Sequence, residues 1–353
     1  MKFLNYKKFY CLIALFATAF VRAETEPTLA PGYNAPSRFD QIGLPTFYTT
    51  GSFIYWQPMQ ENMELGIVSD NTESLDLVNG DYVDLDFGYK PGFKLGFGVL
   101  FDYDNWDLYL QYTWLRGSHQ TTKSLNPNNT NVTLWPAWQS VPGFVTPQYV
   151  YGKENWKVHL DLLDLDLGRS YSVGTQLTFR PFLGARAAWI RQDIHVDYRN
   201  TSPAFLAIWP NTHIDQNSSC WGLGTRVGLG SNWMISHGFR LYGNGEFDIL
   251  YTQYTHLTSS QKSEVNTPNR YVVNQKNADY LRAHLELLLG FGWGCYFANN
   301  ASHVDLSADY GFQVFFDQNM FRNYLSDLNI GKSFSPNGNL YIHGLTVSLR
   351  FDF

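Results

Sequence analysis

The sequence predicts an all-β fold: a transmembrane antiparallel β-barrel of about ten strands (range roughly 8–14), with short periplasmic turns and long extracellular loops. Three observations lead there. Apolar and polar residues alternate with period two in one segment after another, the pattern of strands with one greasy and one wet face. Aromatic residues make up 17% of the chain and charged ones only 16%, yet the most apolar stretch of the mature chain, Leu281 to Phe297, is interrupted by Arg282, His284 and Glu286. No mature segment therefore crosses a bilayer as a helix. Finally, short turns alternate with long polar stretches, so all the long ones fall on one side. A soluble β-sandwich would need polar outward faces and does not explain that asymmetry.

Residues 1–23 read as a signal peptide. Lys2, Lys7 and Lys8 precede an apolar run from Phe9 to Val21, and Val21-Arg22-Ala23 ends in a small residue suited to cleavage. Removing this leader lowers the basic residues from 25 to 21 against 31 acidic ones, taking the net charge from −6 to −10. An exported acidic chain without a basic cluster is a poor nucleic-acid binder. Residues 24–49, with Pro27, Pro31, Pro36 and Pro45, read as an irregular periplasmic lead-in, and residues 50–353 as the barrel.

The first strand runs from Thr50 to about Gly66 around Phe53-Ile54-Tyr55-Trp56, with Pro58 expected to mark a bulge or an early end. Ser69 to Phe87 is polar and acidic, as a loop is. Phe93 to Phe101 alternates cleanly and turns through Asp102-Tyr103-Asp104-Asn105 into Trp106 to Arg116. Gly117 to Asn155 reads as a long loop carrying Trp135 and Trp138. Trp156 to Gly168 is the next strand, where the parity slips at Leu162-Leu163 and predicts a bulge. Arg169 to Gly174 turns into Gln176 to Val196, and Asp197 to Ser219 is a loop. Trp221 to Ile235 and Phe239 to Tyr254 flank the turn at Ser236-His237-Gly238, and His256 to Ala278 is a loop. Leu281 to Phe297 and His303 to Phe316 flank a turn at Ala298 to Ala301. After a last loop, Asp317 to Asn337, the terminal strand sets Leu345, Val347, Leu349, Phe351 and Phe353 against Thr346, Ser348, Arg350 and Asp352.

If the apolar faces meet lipid, the opposite faces line a lumen. Lys94, Arg180, Arg186, Arg226, Arg240, Glu246, Asp248, Arg282, Glu286, Asp305, Asp309 and Arg350 are then the pore-lining candidates, with Asp107, Asp164 and Asp166 beside them. Mixed fixed charge around water passes polar solutes and resists apolar ones; the alternative is a ladder of salt bridges that plugs a narrow barrel. Inward glycines (Gly96, Gly98, Gly222, Gly224, Gly228, Gly230, Gly290, Gly292) leave room and favour an open lumen. Trp106, Trp114, Trp189, Trp221, Trp233 and Trp293 suit interfacial girdles.

The function these readings favour is a porin for passive diffusion of small hydrophilic solutes and ions. A surface adhesin or structural barrel, with Trp135 and Trp138 offered to a host component, is the alternative. A barrel hydrolase would need a base and an activated water at the rim, for which Asp193, His195 and Asp197 are the best set, with His256 and Asp70 further off. No catalytic sequence motif occurs, so no enzyme, cofactor or metal is expected, and no His or Cys spacing is that of a metal site. Cys220 and Cys295 fall at opposite ends of strands and are expected to stay free. Expected partners are outer-membrane lipid, the barrel-assembly machinery, for which Leu345, Val347, Leu349, Phe351 and Phe353 form the signal, and further copies of the chain in a homo-oligomer.

Several short stretches carry a family resemblance. They are Gly51-Ser52-Phe53-Ile54-Tyr55-Trp56, Gly92-Phe93-Lys94-Leu95-Gly96-Phe97-Gly98, Trp106, Tyr112-Thr113-Trp114, Phe182-Leu183-Gly184-Ala185-Arg186, Gly222-Leu223-Gly224-Thr225-Arg226 and the Phe-terminated last strand. Together they span most of the mature chain, which resembles the Legionella-type major outer-membrane-protein family, also found in amoeba-associated chlamydiae. The resemblance implies a pore-forming barrel that passes small hydrophilic solutes and has no catalytic residues. The cysteine-rich chlamydial major protein is a poorer match, because two mature cysteines do not make a disulfide-linked envelope network.

Overall fold

Ten long strands pair antiparallel and close on themselves. The computed structural model describes residues 46–69, 80–101, 104–129, 132–139, 149–200, 211–236, 238–264, 270–297, 302–322 and 337–353. The barrel strands are β1 (Thr46–Gln60), β4 (Lys90–Leu100), β5 (Trp106–Ser124), β7 (Tyr151–Arg169), β9 (Leu177–Arg199), β10 (Thr212–Ser236), β11 (Phe239–Ser263), β13 (Ala278–Phe297), β14 (Ser302–Phe315) and β15 (Leu340–Asp352). Each pairs with the next, β9 pairs with β10, and β15 returns to β1 from Tyr48 opposite Asp352 to Gln60 opposite Leu340. The ring therefore has no open edge, as hydrocarbon demands. Five short strands lie outside it: β2 (Gly66–Ser69), β3 (Gly80–Val83), β6 (Thr133–Pro136), β8 (Tyr171–Val173) and β12 (Arg270–Gln275).

The outward face has a belt of exposed apolar side chains, with Leu183 61%, Phe291 68% and Leu281 74% exposed. On β9 the belt runs from Leu177 to Trp189, about 40 Å along the strand, or about 28 Å across a bilayer at the usual barrel tilt. That matches a hydrocarbon core and would be untenable in water. At its outer border Trp114, Asp161, Trp189 and Trp221 sit opposite one another in a single row across β5, β7, β9 and β10. Trp106, Trp233 and Trp293 lie toward the opposite, short-turn ends of their strands. At the turn between β4 and β5 the Phe101 amide donates to the Trp106 carbonyl (2.8 Å), and Asp104 and Asn105 both have positive φ (55° and 60°), a conformation that Asp and Asn tolerate.

Several boundaries differ from the sequence expectation, for one physical reason. Above the tryptophan row the outer wall meets water and turns polar, while the inner wall turns apolar. On β7 the outward residues change from Leu167, Leu165 and Leu163 to Asp161, His159 and Lys157. The inward ones change from Asp166 and Asp164 to Leu162, Leu160, Val158 and Trp156. Leu162-Leu163 is thus not a bulge, since the β5 pairing continues through it unbroken; the side chains keep parity and the solvent changes. For the same reason β5 runs on to Ser124, β9 to Arg199 and β11 to Ser263, while β7 and β10 begin at Tyr151 and Thr212, all inside stretches that look like loops. A bulge does occur on β11, where Cys220 and Ser219 face Tyr254 and His256 across a skipped Thr255. β1 starts at Thr46 and ends at Gln60, and Pro58 sits beyond the end of the β4 pairing at Trp56, where it has a neighbour on one side only.

The stretches taken for loops also contain a small sheet. β2 pairs with both β3 and β6, joining the first and second outer excursions. The proposed turn at Arg169 to Gly174 contains β8, hydrogen-bonded back onto β9. Asp70 lies outside the described residues.

Candidate functional site in the barrel interior

Inside the lipid-facing belt the lumen carries a network of charge. Arg186 on β9 is its centre. Its Nε and Nη2 donate to both carboxylate oxygens of Asp164 on β7 (2.6 and 2.9 Å), and its Nη1 donates to Asp248 on β11 (2.6 Å). Its Nη2 also lies 3.5 Å from Glu286 on β13. Arg226 adds ion pairs to Asp164 (2.7 Å), Asp166 (3.2 Å) and Glu246. Lys94, from the far wall on β4, completes the crossing with a 3.7 Å contact to Glu286. His284 is fully buried against Asp248 at 2.6 Å.

Nearer the short-turn end, Arg180 reaches over β7 to chelate Asp107 (2.9 and 2.6 Å), and Arg240 reaches over β13 to Asp305. Arg350 donates to Asp352 (2.6 Å) and sits over the Tyr48 ring, 3.7 Å from its centroid. Every one of the twelve lumen candidates has its side chain on the inward parity of its strand. Most are brought together in ion pairs between strands, with Arg186 only 1% exposed, while Asp309 accepts from the Tyr242 hydroxyl (2.8 Å). Arg282 stands apart, at the upper edge, contacting Asp317 (3.7 Å) and the Met320 sulfur.

The inward glycines do not leave empty space. A side chain at Gly98 would strike the Tyr48 ring, one at Gly228 the Phe182 ring, and one at Gly292 the Arg240 guanidinium. The small residue on one strand is the socket for a large inward residue on its neighbour. Tyr48, Tyr109 and Phe182, which alternation alone does not distinguish, fill that room.

Above the charges lies an apolar layer. Ile54, Trp56, Leu115, Leu160, Leu162, Ile190 and Leu250 point in from the wall and are buried. Into them pack residues from three outer excursions: Leu65 and Leu85, then Leu134, Trp138 and Tyr149, then Met320 and Phe321. Trp138 is 2% exposed, so it belongs to this internal layer and is not offered to a surface partner. The fit is close: the space lined by Gln216, Leu257, Met320 and Phe321 is about 10 Å³, room for about one water at most. Glu154 is fully buried in the same layer, with neither carboxylate oxygen hydrogen-bonded. Cys220 points inward and accepts from Gln318 (3.3 Å), and both Cys220 and Cys295 are free thiols.

Asp193, His195 and Asp197 lie elsewhere, on the outer wall above the tryptophan row, beside a cleft of about 340 Å³ that Asp193 and His195 line with Asn155, Lys157, Asp215 and Asn217. His213 faces Asp197 across the β9–β10 ladder, which no spacing along the sequence signals. His256 is exposed on β11 and bonds Thr258 (2.8 Å).

The chain matches the family described as Legionella pneumophila major outer membrane protein precursor over residues 45–353. No curated protein matches it. Solved structures with a similar course include the outer membrane protease OmpT of Escherichia coli (8% identity, TM-score 0.44, covering 91% of this chain and 99% of that one). A major outer membrane protein of Thermus thermophilus is 11% identical, with a TM-score of 0.30 and coverages of 87% and 99%. The outer membrane protein OprG of Pseudomonas aeruginosa is 14% identical, with a TM-score of 0.27 and coverages of 70% and 94%. At these identities and scores the likeness concerns the fold alone. With a family match that spans the whole described barrel, the chain belongs to the Legionella major outer membrane protein family and is a β-barrel of the bacterial outer membrane.

Proposed function

We propose that the protein is an outer-membrane porin for small hydrophilic solutes and ions, with an apolar gate above a charged lumen. The observation that carries this reading is where the charge sits. The network of Arg186, Arg226, Lys94 and their carboxylates lies inside the lipid belt, at the depth where burying ions is most expensive. A barrel built only for rigidity gains as much from apolar packing, because desolvation offsets most of what a buried ion pair returns. Charges of both signs facing each other are instead what selects hydrated solutes, and an apolar constriction gates by excluding water. In this reading the chain performs no catalysis.

The filled outer half favours a second reading, a closed barrel that serves structure or surface attachment. Planar-bilayer recording separates the two. The porin reading expects brief, small conductance steps from the native protein. In Phe321→Ala, which opens the apolar layer, they should lengthen several-fold. Arg240→Gln, near the periplasmic mouth, should move the reversal potential toward cations. No channel activity in either the native protein or Phe321→Ala, across several preparations, leaves the closed barrel as the answer.

A further inference from the structure

The outer wall carries a cluster unrelated to the lumen. His195 and Asp197 are two apart on β9 and share its outward face; His213 and Asp215 on β10 sit directly opposite Asp197 and His195. One ligand atom each from His195, Asp197 and His213 lies within 4.8 Å of the others. His195 Nε2 is 3.3 Å from Asp197 Oδ1, and His213 Nδ1 contacts that same oxygen. The remaining ring nitrogens also face carboxylates: His195 Nδ1 is 2.5 Å from Asp215, and His213 Nε2 is 3.0 Å from Glu264, just past β11.

This arrangement poses a proton-counting problem. A neutral imidazole has one N–H and one lone pair. If Asp215 and Glu264 each take the N–H of their histidine, two lone pairs are left pointing at one carboxylate oxygen, which is repulsive. The cluster becomes attractive throughout only if both rings carry a second proton or if a cation stands between them. The outer carboxylates fix each tautomer so that the free nitrogen faces inward, as in the carboxylate–histidine–metal arrangement. The His195 Nε2–Asp197 spacing suits a metal as well, whereas His213 Nδ1, in direct contact with the same oxygen, must draw back to admit one. Ligands about 2.0–2.1 Å from a tetrahedral zinc lie about 3.3 Å apart.

The surrounding charge is mixed. Arg199 lies 3.8 Å from the other Asp197 oxygen, and Lys153 and Lys262 are the cross-strand neighbours of Asp197 and His213. Three carboxylates outnumber the one guanidinium in contact. His195 is about half exposed, so ions reach the site from water.

We infer that His195, Asp197 and His213 form a surface site for one borderline divalent cation of the zinc type, with Asp215 and Glu264 as the orienting carboxylates. Imidazole ligands favour such metals over calcium and magnesium. Three protein ligands leave one coordination position for water. The cation would clamp β9 to β10 and, through Glu264, to the end of β11, above the membrane. It displaces to solvent any protons the rings hold toward Asp197.

The test uses the full protein in detergent micelles, stripped with chelator and titrated with zinc by calorimetry and with cobalt by visible absorption. The expected result is one site, with cobalt giving the intense visible bands of a tetrahedral complex. His195→Ala and His213→Ala should each weaken binding at least 100-fold, and Asp215→Asn or Glu264→Gln about 10–100-fold. Asp193→Ala, on the same face but outside the cluster, should bind as the native chain does. All these positions lie on the water-facing outer wall, and heat-modifiable gel mobility confirms that each variant is folded. Absence of stoichiometric binding to the native chain, or binding unchanged in a His195→Ala/His213→Ala double variant, overturns the assignment.

Discussion

Arg186 shows at the level of one residue how this lumen is held. Its guanidinium satisfies Asp164 on one neighbouring strand and Asp248 on a strand two places away, with almost no exposure. Truncation would leave those carboxylates buried without their counter-ion, which costs about 3–5 kcal/mol. Arg186→Ala should therefore lower unfolding stability in urea by that amount, whereas Arg169→Ala, in a solvent-exposed pair with Asp104, should leave it nearly unchanged. Equal effects would show that the network is not coupled across the barrel. Glu61, at the outer end of the β1–β15 seam, gives a pH test. Burial raises its pKa, but hydrogen bonds from the Tyr341 hydroxyl (2.6 Å) and the Asn339 amide (2.9 Å) outweigh it and leave the pKa below its ordinary value of 4.5. A depressed carboxyl contributes stability above its unfolded pKa and loses it as pH falls through the folded one. Protection of the Asn339 amide against hydrogen exchange, taken relative to its intrinsic rate at each pH, should thus be high above about pH 4.5 and fall below it. In Glu61→Gln it should show no such step; a step that persists would assign it to another group.

Strand identity and barrel closure are legible because alternation is strictly local: Leu345, Val347, Leu349 and Phe351 on β15 announce a lipid face without any partner in view. What alternation does not reveal is which solvent bathes each face. Lys153 and Asn155 make the start of β7 look like loop, although Gly152 and Glu154 beside them are buried and keep the same period. The pairing of the inward residues is not legible from alternation. Arg180 and Asp107 are far apart in sequence and meet by reaching past an intervening strand. The outward cluster of His195, Asp197 and His213 depends likewise on register. The seam itself carries a prediction. Phe353 exchanges two backbone hydrogen bonds with Phe47 (3.1 and 2.9 Å), and the two rings stack at 6.5 Å. Deleting Phe353 removes the last pair of the closing ladder and the last apolar residue of its lipid face. It should reduce the folded, heat-modifiable fraction several-fold, more than deleting residues 126–128 at an outer turn does. Equal folding of the two deletions would remove any special part for Phe353 in insertion.

At the scale of the whole molecule, the barrel is a tube whose two halves are lined and coated oppositely: apolar outside and charged inside in the membrane, polar outside and apolar inside above it. The longest strands, β10 and β11, run about 80 Å, roughly twice the length of the lipid belt on β9. The excess projects on the side of the small β2–β3–β6 sheet, so this half stands in water as a soluble β-barrel with its own hydrophobic core. Lysines report that division without any substitution. Lys157 is exposed on the outer wall above the tryptophan row, and Lys94 is inside the belt, paired with Glu286 across the lumen. A membrane-impermeant amine reagent applied to intact cells should modify Lys157 and leave Lys94 unmodified, as read by mass spectrometry of the recovered protein. Disrupting the apolar layer by Phe321→Ala should let a small reagent of the same kind reach Lys94 while Lys157 labels as before. If Lys157 is protected on intact cells yet labels after the outer membrane is permeabilised, the long half faces the periplasm and the orientation is reversed. If Lys94 labels in the native chain, the apolar layer does not seal the lumen.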